Sequence, residues 1–378
     1  MATAMPEKPD REVLPGRLAL PGRIVTGQGI LKNLLVECSV FGSNGLIVHG
    51  GAAERAGLLE SFVQPELAPV RTVFWKYGGG EPTLAQLEVL LAFARKQRVD
   101  WVAAIGGGSV IDIAKACAGL IDAPLPARAY HDGAEVPAGH IPFVAVPTTA
   151  GTGSEATFVC VFTNEKTGVK KSFRHHSFLA RVVILDARVI ESCPREVIAG
   201  PGMDALTQGI ESFVSRGSTW ITDAYALESI RLIADNLEKA FNGARGTAAH
   251  NLMVGSHFAG IALCNARLGL VHGLAHPLGA YYHQPHGLAC AVCLPHVLEF
   301  NRPDIADKYE AMSLAVGADL TERVEQLNRC MGIRSPFKGK RMENRSVIID
   351  ETLASGSTAA NPRRVTASDV DTILDKLF

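Results

Sequence analysis

The chain has 378 residues, 47% hydrophobic and 20% charged, with a formal net charge of −1. That length exceeds one simple core and predicts two domains. The balanced charge argues against a nucleic-acid or membrane-surface binder, and eight cysteines without a disulfide rhythm fit buried thiols in a reducing compartment.

The opening stretch MATAMPEKPDREVLPG (1–16) has no apolar signal core, and no run approaches a membrane span, so a cytoplasmic protein is expected. GLIVHG (45–50) reads as a buried strand, AAERAGLLESF (52–62) as helix and VRTVFWK (70–76) as strand. TLAQLEVLLAFARKQR (83–98) has apolar residues at three- and four-residue spacing, which predicts an amphipathic helix capped by Thr83. DWVAAIGGG (100–108) is a strand running into glycines, SVIDIAKACAGLI (109–121) the next helix, and IPFVAVP (141–147) another buried strand. VVILDARVIESCP (182–194) reads as the last extended segment with an exit loop. This alternation predicts a parallel sheet wrapped by helices. From Arg195 the chain reads almost entirely as helix, notably over 194–215, 222–241 and 247–266. The expected organisation is an α/β dinucleotide-binding domain over 1–190 and an all-α domain over 191–378, with a ligand cleft between them.

Two loops carry nucleotide-binding signals. AIGGGSVIDIAKA (104–116) puts Gly106, Gly107 and Gly108 between a strand and a helix, where successive N–H groups and the helix dipole favour a phosphate. Ser109 with Asp112 three residues on also resembles a capping box, so a plain strand-to-helix turn explains the same residues. VPTTAGTGSEAT (146–157) follows a second buried strand, and its Thr148, Thr149 and Thr152 can donate to ribose or phosphate oxygens; a hydroxyl-rich turn is the plainer reading. Two such loops at carboxyl ends of parallel strands fit the ligand edge of an open α/β sheet. Neither contains G-x-G-x-x-G, so the arrangement is not the usual Rossmann one.

The segment VHGLAHPLGAYYHQPHG (271–287) concentrates histidines. His272 and His276, four apart, share a helix face, which suits two metal ligands or one ligand and one catalytic group; His286 follows in Pro-His-Gly. His283 reads as solvated. In GMDALTQGIES (202–212), Asp204 offers a carboxylate whose plainer reading is a helix cap; Gln208 shares its face, and Glu211 lies two turns further along. Cys290-Ala-Val-Cys293 lacks the second pair that a zinc site of that kind needs and reads as core packing.

The set GGGSxxDxxK (106–115), PTTAGTGSE (147–155), GMDALTxxIE (202–211) and HGxAHPLGA…PHG (272–287) resembles the iron-containing, or group III, alcohol dehydrogenases, in order and spacing along nearly the whole chain. The resemblance implies a dehydroquinate synthase-like fold. It implies NAD(P)(H) with Gly106, Gly107, Gly108 and Ser109 at the pyrophosphate and the threonine loop on the nucleotide; Asp112 belongs to the same motif. It implies one divalent ion, Fe2+ or Zn2+, whose ligands fall on Asp204, position 208, His272 and His286, with His276 handling the proton. It further implies a small alcohol or aldehyde as substrate and, by analogy, a homodimer. Position 208 departs from the pattern: histidine is usual there and this chain has Gln208, a weaker neutral ligand. Coordination by its amide oxygen, a water in its place, or a metal-independent enzyme of the maleylacetate reductase type each fit. NAD-preferring members place an aspartate after the LIV strand; here His49-Gly50-Gly51 follows, which leans toward NADP(H). A lyase of the dehydroquinate synthase kind is disfavoured, because the basic residues its substrate phosphate needs are lacking.

Overall fold

The computed structural model describes residues 17–60, 70–191 and 193–378. The opening stretch 1–16 and the end of the helix expected over 52–62 lie outside them. In chain order, β1 (Ile24–Gly27), α1 (Leu34–Ser39), β2 (Asn44–His49), α2 (Gly51–Arg55), β3 (Arg71–Lys76), α3 (Leu84–Gln97), β4 (Trp101–Gly106), α4 (Gly108–Leu120), α5 (Ala127–His131), β5 (Phe143–Pro147), β6 (Val159–Thr163), β7 (Lys170–Arg174) and β8 (Val182–Asp186) make the first half. Helices make the second: α6 (Arg195–Val214), α7 (Trp220–Phe241), α8 (Thr247–Ala266), α9 (Leu270–Tyr282), α10 (His286–Asn301), α11 (Ala306–Val316), α12 (Leu320–Cys330), α13 (Arg345–Ala354) and α14 (Ala367–Leu377).

Among the described residues six strands pair in the order β1-β8-β5-β4-β2-β3, all parallel. The central strands β4, β5 and β8 are buried along their whole length, as a sheet covered on both faces requires. Helices α3 and α4 pack against each other, and α4 lies on β4 and β5. The Thr83 cap forms as expected: its hydroxyl accepts from the Gln86 N–H, and the Gln86 side chain accepts from the Thr83 N–H, a reciprocal box worth about 1 kcal/mol. Parallel pairing places the carboxyl ends of β2, β4 and β5 side by side. Both nucleotide loops therefore open on one edge.

Three features depart from the sequence expectations. The helix expected over 52–62 ends at Arg55, where Ala56 caps it and a turn carrying the left-handed Gly57 follows. β1 joins the sheet edge beside β8, and β6 and β7 form an antiparallel hairpin between β5 and β8. The helical half follows the sequence closely, with α6, α7 and α8 packed together and α10 packed on α6 and α9. Among the described residues no single helix is long and apolar enough to cross a membrane.

Candidate active site

The glycine turn sits where β4 passes into α4. Gly107 is the N-cap, in extended conformation and without a side-chain cap. The capping box read for Ser109 and Asp112 does not form, because the Asp112 carboxylate is engaged elsewhere. It accepts from the Ser154 hydroxyl and, at 2.9 Å, from the Val161 N–H. Lys115, one turn on and fully buried, donates to Ser154 O (2.7 Å), Ser154 Oγ (2.9 Å), Thr157 Oγ1 (3.2 Å) and Val159 O (2.6 Å). The Asp and Lys of the GGGSxxDxxK stretch thus clamp the threonine loop and the β6–β7 hairpin across the turn.

That clamp brings the two loops together. A Cβ on Gly107 would lie 3.3 Å from Thr149 Oγ1, and one on Gly108 2.7 Å from Thr152 Oγ1. The Gly107 carbonyl accepts from the Val110 and Ile111 N–H groups, which leaves those of Gly108 and Ser109 at the start of α4 without a helical acceptor, and the hydroxyls of Thr149 and Thr152 stand beside them. Thr152 is exposed, whereas Thr148 is buried. Thr152 stands so close that no side chain fits on Gly108, and the backbone N–H groups of a helix start are the kind that receive a phosphate. The same loop touches the helical half: a Cβ on Gly151 would lie 2.5 Å from Pro201 Cβ, and one on Gly153 2.5 Å from Gly260 Cα. Pro201 precedes Asp204 on α6 by three residues. The glycine–threonine cradle and the histidine cluster therefore share one cleft.

The cluster draws on three helices. Asp204 stands inside α6, not at its start, so the capping role considered for it does not apply. Its Oδ1 lies 3.2 Å from His272 Nε2 on α9 and 3.6 Å from His286 Nε2 at the start of α10. Cys290 Sγ completes the group, 3.6 Å from His286 Nε2 and 4.0 Å from His272 Nε2. One ligand atom from each of Asp204, His272, His286 and Cys290 lies within 4.8 Å of the others. Carboxylate, imidazole and thiol converging at this range suit a divalent metal. Asp204 and His272 are buried, while the His286 side chain is 40% exposed and opens the cluster to the cleft.

The surroundings orient the side chains of this cluster. Glu211 Oε2 is 2.6 Å from His272 Nδ1, and its other oxygen accepts from the Val271 N–H at 2.6 Å. This fixes the His272 tautomer with Nε2 facing the cluster. Gln208 donates from Nε2 to Asp204 Oδ2 at 3.0 Å, and its buried Oε1 has no protein partner. Burial pushes the Asp204 carboxyl pKa up, but His286 and His272 outweigh it and hold the group below the usual carboxylate range. Burial likewise disfavours a charged His272, yet the Cys290 sulfur, Glu211 and Asp204 raise its pKa well above the imidazole norm. A metal entering here displaces that proton.

His276 stacks on His286, with ring centroids 5.3 Å apart and planes at 17°, and lies 6.1 Å from the His272 ring. It is exposed to the cleft. Desolvation by the cleft walls, then the imidazoles of His286 and His272, lower its pKa. It is thus neutral at neutral pH and able to pass a proton on. His283 is exposed at the left-handed C-cap of α9, away from the cluster. Glu81, between β3 and α3, pairs at 2.7 Å with Lys170 of β7.

Two members of the site escaped the sequence reading. Cys290 follows His286 by one helical turn, a spacing that carried the signal, but it was assigned to core packing. Glu211 lies seven residues from Asp204, which on a continuous α6 is the same face two turns along.

Residues 21–187 match the family "Iron-containing alcohol dehydrogenase", and residues 198–378 match "Fe-containing alcohol dehydrogenase family, C-terminal". The chain is 36% identical over 315 residues to a probable alcohol dehydrogenase, EutG, of Escherichia coli K12, covering 83% of this chain and 77% of that one. It is 29% identical over 385 residues to an NADPH-dependent butanol dehydrogenase of Clostridium saccharobutylicum, covering 96% and 98% of the two chains. The crystal structure of a 1,3-propanediol oxidoreductase superposes with a TM-score of 0.90 at 28% identity, covering 96% of this chain and 99% of that one. With both halves matched and the glycine, threonine and histidine segments meeting in one cleft, the chain belongs to the iron-containing alcohol dehydrogenase family.

Proposed function

We propose that the chain transfers hydride reversibly between NAD(P)(H) and a small alcohol or aldehyde, with one divalent ion, Fe2+ or Zn2+, held by Asp204, His272 and His286. The convergence of those three residues, one turn from the loop that faces the glycine turn, carries this reading. When bound, the ion supplies Lewis-acid polarisation of the substrate oxygen and the nicotinamide supplies or accepts the hydride.

The chain's own residues do the rest. The α4 N-terminus, through the N–H groups of Gly107, Gly108 and Ser109, receives the pyrophosphate. Thr148, Thr149 and Thr152 donate to nucleotide oxygens, and Asp112 holds their loop through Ser154. Glu211 and Gln208 orient His272 and Asp204. His276, neutral and open to the cleft, carries the alcohol proton to solvent or returns it. Gly50 and Gly51 follow β2 with no carboxylate to repel a 2′-phosphate, so NADP(H) is accepted. Homodimeric assembly and a cytoplasmic setting belong to the same proposal.

Elemental analysis of untagged protein tests it, with NADPH and NADH oxidation assayed against small aldehydes before and after chelation. About one iron or zinc per chain, with activity lost on chelation and restored by metal, is expected. Full activity in metal-free protein would move the chain to the maleylacetate reductase type of chemistry.

A further inference from the structure

We propose that Cys290, as thiolate, is the fourth protein ligand of the metal, the substrate oxygen adding as a fifth, and that Gln208 positions Asp204 without touching the ion. The inference rests on the metal-dependent reading above. In a tetrahedral zinc site with Zn–N and Zn–O near 2.0–2.1 Å and Zn–S near 2.3 Å, neighbouring ligand atoms stand about 3.3–3.6 Å apart. The structure has Asp204 Oδ1 to His272 Nε2 at 3.2 Å, Asp204 Oδ1 to His286 Nε2 at 3.6 Å and Cys290 Sγ to His286 Nε2 at 3.6 Å. The Cys290–His272 pair, at 4.0 Å, closes within the same range on a small side-chain rotation. His286 and Cys290 lie at i and i+4 on α10, so a single helix face presents both.

Gln208 leaves the fourth place open. Its amide meets Asp204 with the NH2 end, at 3.0 Å from Oδ2. With no cation between them, turning the amide over would set Oε1 against Oδ2, two acceptors face to face, so the amide meets Asp204 with its donor end. An NH2 group has no lone pair to give a metal. By holding Oδ2, Gln208 leaves Oδ1 as the oxygen that faces both histidines. The thiolate then supplies the charge and the donor that an amide cannot, and its proton leaves to solvent as the metal–sulfur bond forms. A site of two imidazoles, one carboxylate and one thiolate is softer than one of three imidazoles and a carboxylate, and favours zinc over iron.

Full-length protein loaded with cobalt(II) should show a near-ultraviolet thiolate-to-cobalt charge-transfer band. X-ray absorption of the zinc form should show one sulfur scatterer at about 2.3 Å. Cys290→Ser should lose the band and weaken zinc binding more than about a hundredfold, the upper range for loss of an outer partner. Cys293→Ser and Gln208→Ala should both keep the sulfur signal. If Cys290→Ser does not fold, the wild-type zinc spectrum decides the matter alone. One metal per chain bound by nitrogen and oxygen only would overturn the inference and leave the metal-dependent reading standing. Protein that takes up no metal would overturn both.

Discussion

Glu211 and His272 form the shortest side-chain contact of the cluster, carboxylate Oε2 to imidazole Nδ1 at 2.6 Å. Glu211 is buried, and its second oxygen is held by the Val271 N–H on the helix that carries His272. The imidazole can therefore present only Nε2 to the metal. Removing such an outer partner commonly costs tenfold to a hundredfold in metal affinity. Glu211→Ala should lower zinc affinity by about that factor in a chelator competition, while the protein keeps its far-ultraviolet circular dichroism. An unchanged affinity would mean that His272 is oriented by packing alone.

In the proposed reading the β2 edge governs cofactor choice. β2 lies between β3 and β4, so Gly50 and Gly51 stand beside the glycine turn. A Cβ on Gly51 would meet only the flexible end of Arg55 at 3.2 Å, whereas one on Gly50 would press on Val110 at 3.3 Å. Gly51→Asp is the substitution the backbone accepts, and an acidic residue in the first helical turn is favourable in itself. Its charge should repel a 2′-phosphate and draw Arg55 away. The ratio of kcat/KM for NADPH over NADH should fall about tenfold or more, equivalent to about 1.4 kcal/mol. A ratio that does not move would place the adenine ribose elsewhere.

Gly153 tests the contact between the two halves. Its φ is +61°, and a Cβ there would lie 2.5 Å from Gly260 Cα of α8. An alanine must bear a left-handed backbone, about 1–2 kcal/mol, and push backbone against backbone, about 1–3 kcal/mol more. Gly153→Ala should lower the urea midpoint accordingly and raise KM for the cofactor, because the threonine loop is the part displaced. A midpoint equal to wild type would show that the loop is free to move from α8.

Much of this was legible in the sequence because local and tertiary preferences agree. Thr83 and Gln86 carry their cap in adjacent residues, and the apolar runs of β4, β5 and β8 are long enough to announce burial on both faces. The helices over 195–214, 220–241 and 247–266 follow unbroken apolar periodicity. The resemblance to the family is confirmed by both family matches. What stayed hidden depends on contacts distant in sequence. Asp112 has the spacing of a cap, but Ser154 and Val161, about forty to fifty residues on, claim its carboxylate. Asp204 follows a Pro-Gly pair that suggests a helix start, yet α6 runs through it under packing from α7 and α8. The β6–β7 hairpin was missed because β7 begins Lys170-Lys171 and shows little hydrophobic alternation. Cys290 looks like core in the sequence because its role depends on α9 bringing His272 to within 4.0 Å of its sulfur.

His276 and His286 lie stacked at 5.3 Å, and that pairing sets the last expectation. Desolvation in the cleft, with His286 and His272 beside it, depresses the His276 pKa, and a metal dication at the cluster would depress it further. A lowered imidazole pKa means that the folded protein holds His276 neutral across the neutral range, so its own ionisation contributes no limb to the pH–rate profile there. In the proposed mechanism it still matters to the rate, since a neutral imidazole accepts a proton on one nitrogen as it releases one from the other. His276→Asn should therefore lower kcat for alcohol oxidation by about a hundredfold, the lower end of general acid–base contributions, with the apparent pKa values of the profile unmoved. Loss of the acidic limb in the variant would show instead that His276 titrates in the working range. A rate equal to wild type would show that the proton leaves by a path that avoids this residue.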